Sequence, residues 1–283
     1  RKAKVINKLN FQEEATTSGE ISFSHIFIVA AEPNAVPKAI TKGFYRFGNA
    51  DFTPDGKKIV FSGSMDSTLH PDRALESQLF IVDADGSNHK KLLGAPGKTF
   101  SNPIVSPSGK WLAFQMGAVS FVDVPALAIM PLYGSSTDIT VLPFDRNKSG
   151  LNWSKDEQYI YFSAQSNGGA PVYRMQISTK KAEQLTASDA GVSSFDISGN
   201  QMVYVKTEVI NPFELYSSDA SGKNATRISN FNQEWLSKKQ LSLPVKKTFV
   251  NEKGLTVEYW VMKPANFEAG KKYPTILNIH GGP

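Results

Sequence analysis

The residues whose types and spacing suit chemistry close the chain: Thr275-Ile-Leu-Asn-Ile279, then His280-Gly281-Gly282-Pro283. The first five form a short apolar run with β-branched residues, the mark of a strand buried on both faces. Two consecutive glycines let the backbone turn sharply and bring its N–H groups close to a ligand. Donors presented in this way suit an oxyanion hole, which faces the negative charge that develops during acyl transfer. A lone Gly-Gly pair reads as a tight turn. Here Tyr273-Pro274 before the run and Pro283 after it set the turn apart.

Other candidate constellations carry less. No G-x-S-x-G nucleophile turn is present: Gly134-Ser-Ser-Thr-Asp138 and Gly191-Val-Ser-Ser-Phe195 both fail at the fifth position. A Ser-His-Asp triad cannot be assembled from this chain, which by itself is expected to be inactive. Gly94-Ala-Pro-Gly-Lys-Thr99 imitates a phosphate loop, but Leu92 stands where that motif requires glycine, so a hairpin turn is expected. His25, His70, His89 and His280 are far apart, with no carboxylate or histidine at ligand spacing. The first three are expected to be structural or solvated, and no metal or cofactor is called for. Asp66 to Glu76, with His70, Asp72 and Arg73, is a polar insertion that reads as a solvated loop or as one lining a substrate chamber. Asn147, Asn152 and Asn224 match the short glycosylation pattern, which carries no weight alone.

Composition narrows the class. The 283 residues are 40% hydrophobic and 11% aromatic, enough for a substantial core. Net charge is +5, but the lysines are scattered as pairs such as Lys57-Lys58 and Lys180-Lys181, with no basic stripe interleaved with aromatics. Nucleic acid is therefore not an expected partner. No apolar run approaches the ~20 residues that a membrane-spanning helix needs. The absence of cysteine excludes disulfides and thiol chemistry and leaves the compartment open, cytoplasmic or periplasmic and secreted alike. Starting at Arg1 and stopping after the His-Gly-Gly-Pro turn, the chain reads as cut at both ends.

The elements that must position that turn show up as repeats. A polar turn enters an apolar strand at Phe52-Thr-Pro-Asp-Gly-Lys-Lys-Ile-Val-Phe61, and again at Val105-Ser-Pro-Ser-Gly-Lys-Trp-Leu-Ala-Phe114. Further copies are Trp153-Ser-Lys-Asp-Glu-Gln-Tyr-Ile-Tyr-Phe162 and Asp196-Ile-Ser-Gly-Asn-Gln-Met-Val-Tyr-Val205. Aligned on Gly56, Gly109, Glu157 and Gly199, they are spaced by 53, 48 and 42 residues. That is the period of a β-propeller blade, ~40–50 residues of four antiparallel strands. A second strand-turn-strand unit alternates with the first, as in Leu79 to Leu93, Val172 to Thr186, Leu215 to Ser229 and His25 to Thr41. Residues 21–235 are thus expected to make about five blades, the third with an irregular outer strand across Val124 to Pro143. Ile59, Phe61, Leu112, Phe114, Ile160, Phe162 and Val203 are the expected buried strand residues.

The pattern breaks near Asn230-Phe-Asn-Gln-Glu-Trp-Leu236, where Asn232 is placed to cap a short helical turn. Three strands are expected after it, Val245–Asn251, Leu255–Met262 and Thr275–Ile279. The chain accordingly divides into a propeller domain, 1–238, and the start of a second domain, 239–283.

On the Thr-Pro-Asp-Gly and Ser-Pro-Ser-Gly turns, the Asn-Gln-Glu-Trp-Leu linker, Met262-Lys-Pro264 and the His-Gly-Gly-Pro turn, the sequence resembles the prolyl oligopeptidase family of serine peptidases. Its acylaminoacyl-peptidase and bacterial dipeptidyl-peptidase-like branch is the nearest match. The resemblance implies an all-β propeller, here an incomplete ring of seven or eight blades, followed by the opening strands of an α/β-hydrolase domain. It implies short peptides as substrates, a propeller that gates the site, and Ser, Asp and His beyond the turn. It also implies that the Gly282 N–H is an oxyanion donor, with Gly281 and His280 shaping the turn. Association into oligomers stays open. The competing reading is a non-catalytic TolB-like propeller that binds protein or peptide partners.

Overall fold

The computed structural model describes residues 5–6, 23–65, 75–120 and 122–279. The repeated turns form for local reasons. At the first, the Thr53 hydroxyl donates to Asp55 Oδ1 at 2.7 Å, the same oxygen accepts from the Lys57 amide at 3.1 Å, and Gly56 takes φ +68°. At the third, Ser154 and Asp156 make the same hydroxyl contact at 2.6 Å, and Glu157 adopts φ +58° in the glycine position. Asp binding its own backbone two residues on, with a left-handed residue next, is what reverses the chain.

Each turn joins the first two strands of a sheet. β1 (Phe27–Ile28) and β2 (Lys38–Ala39) form a two-stranded sheet. β3 (Arg46–Phe52), β4 (Lys58–Ser64), β5 (Gln78–Asp83) and β6 (Lys90–Leu93) form the first four-stranded sheet. β7 (Lys98–Val105), β8 (Trp111–Ala118), β9 (Ala126–Pro131) and β10 (Thr140–Leu142) form the second. β11 (Ser149–Trp153), β12 (Tyr159–Ser163), β13 (Val172–Gln176) and β14 (Lys181–Gln184) form the third. β15 (Gly191–Ser198), β16 (Gln201–Glu208), β17 (Asn211–Asp219) and β18 (Thr226–Arg227) form the fourth. In all four, strand order follows chain order. These meanders are propeller blades, and the fold is an all-β propeller. Against the expected five blades, the described residues hold four complete ones and a two-stranded sheet. The outer strand of the second is cut to three residues after a 3₁₀ turn at Ser136–Asp138, within the proline-rich stretch expected to be irregular.

The chain divides into two compact units. One comprises Arg1–Phe162 with Tyr173–Glu183, and the other Ser163–Val172 with Gln184–Pro283. In the first, Val60, Leu79, Ile81 and Leu93 of one sheet meet Phe100, Leu112, Phe114, Ala128 and Met130 of the next in one core. The opposite face of the first sheet, with Phe61, Phe80 and Val82, packs with Ile40 and the partly buried Ile26 and Ile28 beside β1 and β2. Sheets stacked in this way bury both faces of their strands, at about 1.5–3 kcal/mol per large side chain. In the second unit Val172, Val192, Met202 and Tyr204 make a smaller core.

Ile59, Phe61, Leu112, Phe114, Ile160 and Phe162 are buried as expected. Val203 is not: it is half-buried, while Met202 and Tyr204 on either side of it are buried. Counted from the turn residue, the buried positions are the third and fifth in every sheet, and Val203 is the fourth. Side chains alternate across a strand, so a slip of one residue selects the other face.

After α1 (Gln233–Leu236), β19 (Pro244–Val250) and β20 (Thr256–Met262) form a hairpin within one or two residues of the expected strands. Asn232 precedes the helix, but its side chain donates to the Pro212 carbonyl at 2.6 Å instead of capping it. The third expected strand is corrected. Residues 275–279 join no sheet, and Ile276, Leu277 and Ile279 are 92%, 80% and 77% exposed. A strand buried on both faces needs ladder partners and cover, and no described strand lies alongside this run.

Candidate functional site

His280, Gly281, Gly282 and Pro283 lie outside the described residues, as do His70, Asp72 and Arg73. Of the insertion that holds the latter three, Glu76 is described, and its Oε1 accepts from the Gly97 amide at 2.6 Å. That bond stiffens the turn between β6 and β7, so the phosphate-loop look-alike joins two sheets where a hairpin was expected. His25 hydrogen-bonds Thr41 Oγ1 at 3.1 Å. His89 stands against Phe47, Phe61 and Phe80, where burial pushes its ring below the usual histidine value. Both are structural.

The constructed polar site among the described residues sits where the first strands of three successive sheets meet. β3 and β7 break register between Gly48 and Asp51 and between Ser101 and Ile104. At these bulges Asn49 and Asn102 adopt φ +49° and +51°, and Gly150 of β11 adopts φ +65°. Asn tolerates the left-handed region better than other non-glycine residues because its short amide bonds locally. β3, β7 and β11 pack next to one another, and their bulges frame a recess of about 350 Å³. Its lining includes Asn49, Asn102, Ile104, Lys148 and Gly150.

A chain of buried polar groups runs behind the recess. Asn102 Nδ2 donates to Gln115 Oε1 at 3.2 Å, and Gln115 Nε2 donates to the Lys148 carbonyl at 2.7 Å. Lys148 is only 5% exposed. Its Nζ donates to the Arg146 carbonyl at 2.7 Å and the Phe144 carbonyl at 3.4 Å, and lies 5.5 Å from the Phe144 ring centre. Burial pushes its amine down from 10.5 to about 8, with Asp145 pulling the other way. The Arg146 guanidinium stacks on Phe144 and Tyr173 and pairs with the exposed Asp145 at 2.9 Å.

Cross-sheet bonds lock this geometry. Asp51 Oδ2 accepts from the Val105 amide at 2.8 Å, and Trp153 Nε1 donates to the Ile104 carbonyl at 3.2 Å. Burial pushes the Asp51 carboxyl up, against the pull of that amide. Burial also raises Glu157, but the Ser108 amide and hydroxyl outweigh it and hold the carboxyl below its usual value. The sequence pattern carried a signal for the bulges that the reading missed. Asn49, Asn102 and Gly150 each fall seven residues before the turn residue of their repeat.

In the second unit a further buried acid fastens the segment that leads to α1. Glu214 is fully buried. It accepts from the Ser229 hydroxyl, from the Phe231 amide at 3.2 Å and from the Asn232 amide at 3.1 Å. The Ser229 hydroxyl first, then those amides, holds its carboxyl below the usual range against burial. Nearby, the Trp260 indole of β20 lies on Gly168 of the β12–β13 loop.

Comparison with known proteins fits this architecture. The family described as acylaminoacyl-peptidase, N-terminal β-propeller domain, matches residues 34–212. The dipeptidyl-peptidase 5 of Porphyromonas endodontalis is 27% identical over 236 residues, covering 82% of this chain and 34% of that protein. The Pyrococcus horikoshii acylaminoacyl peptidase superposes with a TM-score of 0.56 at 12% identity, over 88% of this chain and 48% of that one. TolB from Acinetobacter baumannii superposes at 0.53 and 17% identity, over 83% and 56%. At such identities the two superpositions show the propeller fold alone. This chain spans about a third of the length of the curated relatives it matches, 34% and 37% for two of them. The family match covers more than half of the chain, which therefore belongs to the acylaminoacyl-peptidase N-terminal β-propeller family.

Proposed function

We propose that the protein carrying this chain is a serine peptidase of the prolyl oligopeptidase family, acting on short peptides as a dipeptidyl- or acylaminoacyl-peptidase. The propeller, 1–238, gates access to the site, and 239–283 opens the hydrolase domain. The observation that carries this reading is the joining of two features in one chain. They are an acylaminoacyl-peptidase-type propeller over 34–212 and a His280-Gly281-Gly282-Pro283 turn that follows an apolar run. In this reading the Gly282 N–H donates to the oxyanion of the tetrahedral intermediate, Gly281 and His280 shape the turn, and the nucleophile lies outside this chain. A TolB-type propeller would account for the blades but gives no role to the turn.

The test uses the full-length protein with N-acetyl-aminoacyl and dipeptidyl nitroanilides and a fluorophosphonate that labels active serines. Hydrolysis of one substrate class, abolished by labelling, is the expected result. Neither hydrolysis nor labelling in folded protein contradicts the proposal.

A further inference from the structure

The recess among β3, β7 and β11 carries a positive charge that the protein itself leaves unmatched. Lys148 has no carboxylate within ion-pair distance, and Asp145, the acid whose charge acts on it, is exposed and pairs with Arg146. Of the three donors on an ammonium, two go to the Arg146 and Phe144 carbonyls, which leaves one. A buried cation satisfied only by neutral carbonyls is disfavoured, and an anion placed against it relieves that cost. The rest of the lining is suited to such a guest. The Asn49 carboxamide bonds no described residue, Asn102 uses one of its amide hydrogens on Gln115, and no acid lines the recess. One ammonium and two carboxamides match a single planar negative charge. A volume of about 350 Å³ holds the end of a peptide. In a propeller the strands that pack side by side in this way border the central channel, where a threaded peptide passes.

We propose that this recess binds the carboxylate of a peptide, with Lys148 as its charge partner and Asn49 and Asn102 as orienting amides. The group is the C-terminal carboxylate, since an acidic side chain would carry a further peptide unit into the same volume. The proposal rests on the peptidase reading above. It makes Lys148 a specificity-determining residue for substrates with a free C-terminus.

The experiment uses the full-length protein and three tetrapeptides with neutral side chains apart from the stated change: a free C-terminus, a C-terminal amide, and an amide with glutamate as last residue. KM for the free acid should be about tenfold lower than for the plain amide, as one charge-assisted hydrogen bond provides. Lys148→Met should bring that ratio to about one with an unchanged melting temperature. If the glutamyl amide matches the free acid, the recess reads any carboxylate and the C-terminal assignment is overturned. Equal KM for all three peptides overturns the site itself, as does a ratio that survives in Lys148→Met. Should that variant fail to fold, Asn49→Gly keeps the left-handed backbone and must lower the ratio about threefold; an unchanged ratio then counts against the site. If no peptide is cleaved at all, the peptidase reading fails separately. The recess is then read by calorimetry, in which the free acid binds and the amide does not, and equal or absent binding overturns it.

Discussion

Two runs of similar composition behave oppositely in this molecule. Tyr159–Ser163 reads Tyr-Ile-Tyr-Phe-Ser and is buried through its middle three residues, while Thr275–Ile279 reads Thr-Ile-Leu-Asn-Ile and stands outside every sheet. Both have the β-branched and aromatic or aliphatic content that strands favour. What separates them is company. β12 has a turn that folds it onto β11, a second partner in β13, and cover on its faces. The terminal run has none of these. Propensity therefore says what a segment can be, and neighbours decide what it is.

The largest expected effect sharpens that contrast. Phe114 is fully buried between the first two sheets, and Phe114→Ala should destabilise by about 3–5 kcal/mol through lost burial and a cavity. Leu277→Ala, at an 80% exposed position, should change stability by less than about 0.5 kcal/mol. Urea unfolding midpoints of the two variants decide it, and similar losses would break the comparison.

A middle-sized effect lies at the hairpin β19–β20, which shares features of both regions. Gly168 has φ +88°, and a Cβ there would run into the Trp260 indole; Gly254 has φ +75° but faces open space. Gly168→Ala should cost about 2–3 kcal/mol and shift Trp260 fluorescence. Gly254→Ala, with only the left-handed penalty, should cost about 1 kcal/mol and leave the spectrum alone. Equal costs and spectra would mean that β20 does not rest on the loop.

The smallest effect concerns the buried charge. Below about pH 8 the folded protein holds a Lys148 charge that burial disfavours. Between about pH 8 and 10.5 the unfolded chain binds that proton more tightly than the folded one, so this site's contribution to stability rises with pH across the window. Lys148→Met has no such dependence. It should lose ground to the unsubstituted protein as pH rises from 8 to 10.5, by urea midpoint. A constant gap would place the ammonium in a solvated environment.

How much of this could be read beforehand follows the same division. The blades were legible because each carries a local code: a Pro-Asp-Gly-type turn, then an apolar strand at a fixed offset. Even the misassigned Val203 is corrected by that code, since the third and fifth positions after Gly199 are Met202 and Tyr204. The left-handed bulges were written at a constant offset too, but an isolated Asn in a β run reads as a turn residue unless the repeats are stacked. Lys148 was not legible. Its burial depends on Asn49, Asn102 and Gly150, about fifty residues apart from one to the next, being brought together by the stacking of sheets. The oxyanion turn was legible as a motif, and its geometry depends on strands that would have to flank residues 275–279.

The account's central claim is that this turn does chemistry, and the oxyanion donor tests it most directly. In the full-length protein Gly282→Pro removes the N–H, whereas Gly282→Ala keeps it and reports the steric change alone. With both variants equally folded, kcat on a short acyl-peptide should fall about 10²–10³-fold in the proline variant, equivalent to ~2.7–4 kcal/mol, with KM little changed. The alanine variant should stay much closer to the parent. A proline variant that keeps the parent kcat would show that the Gly282 amide is no oxyanion donor and that the turn is structural.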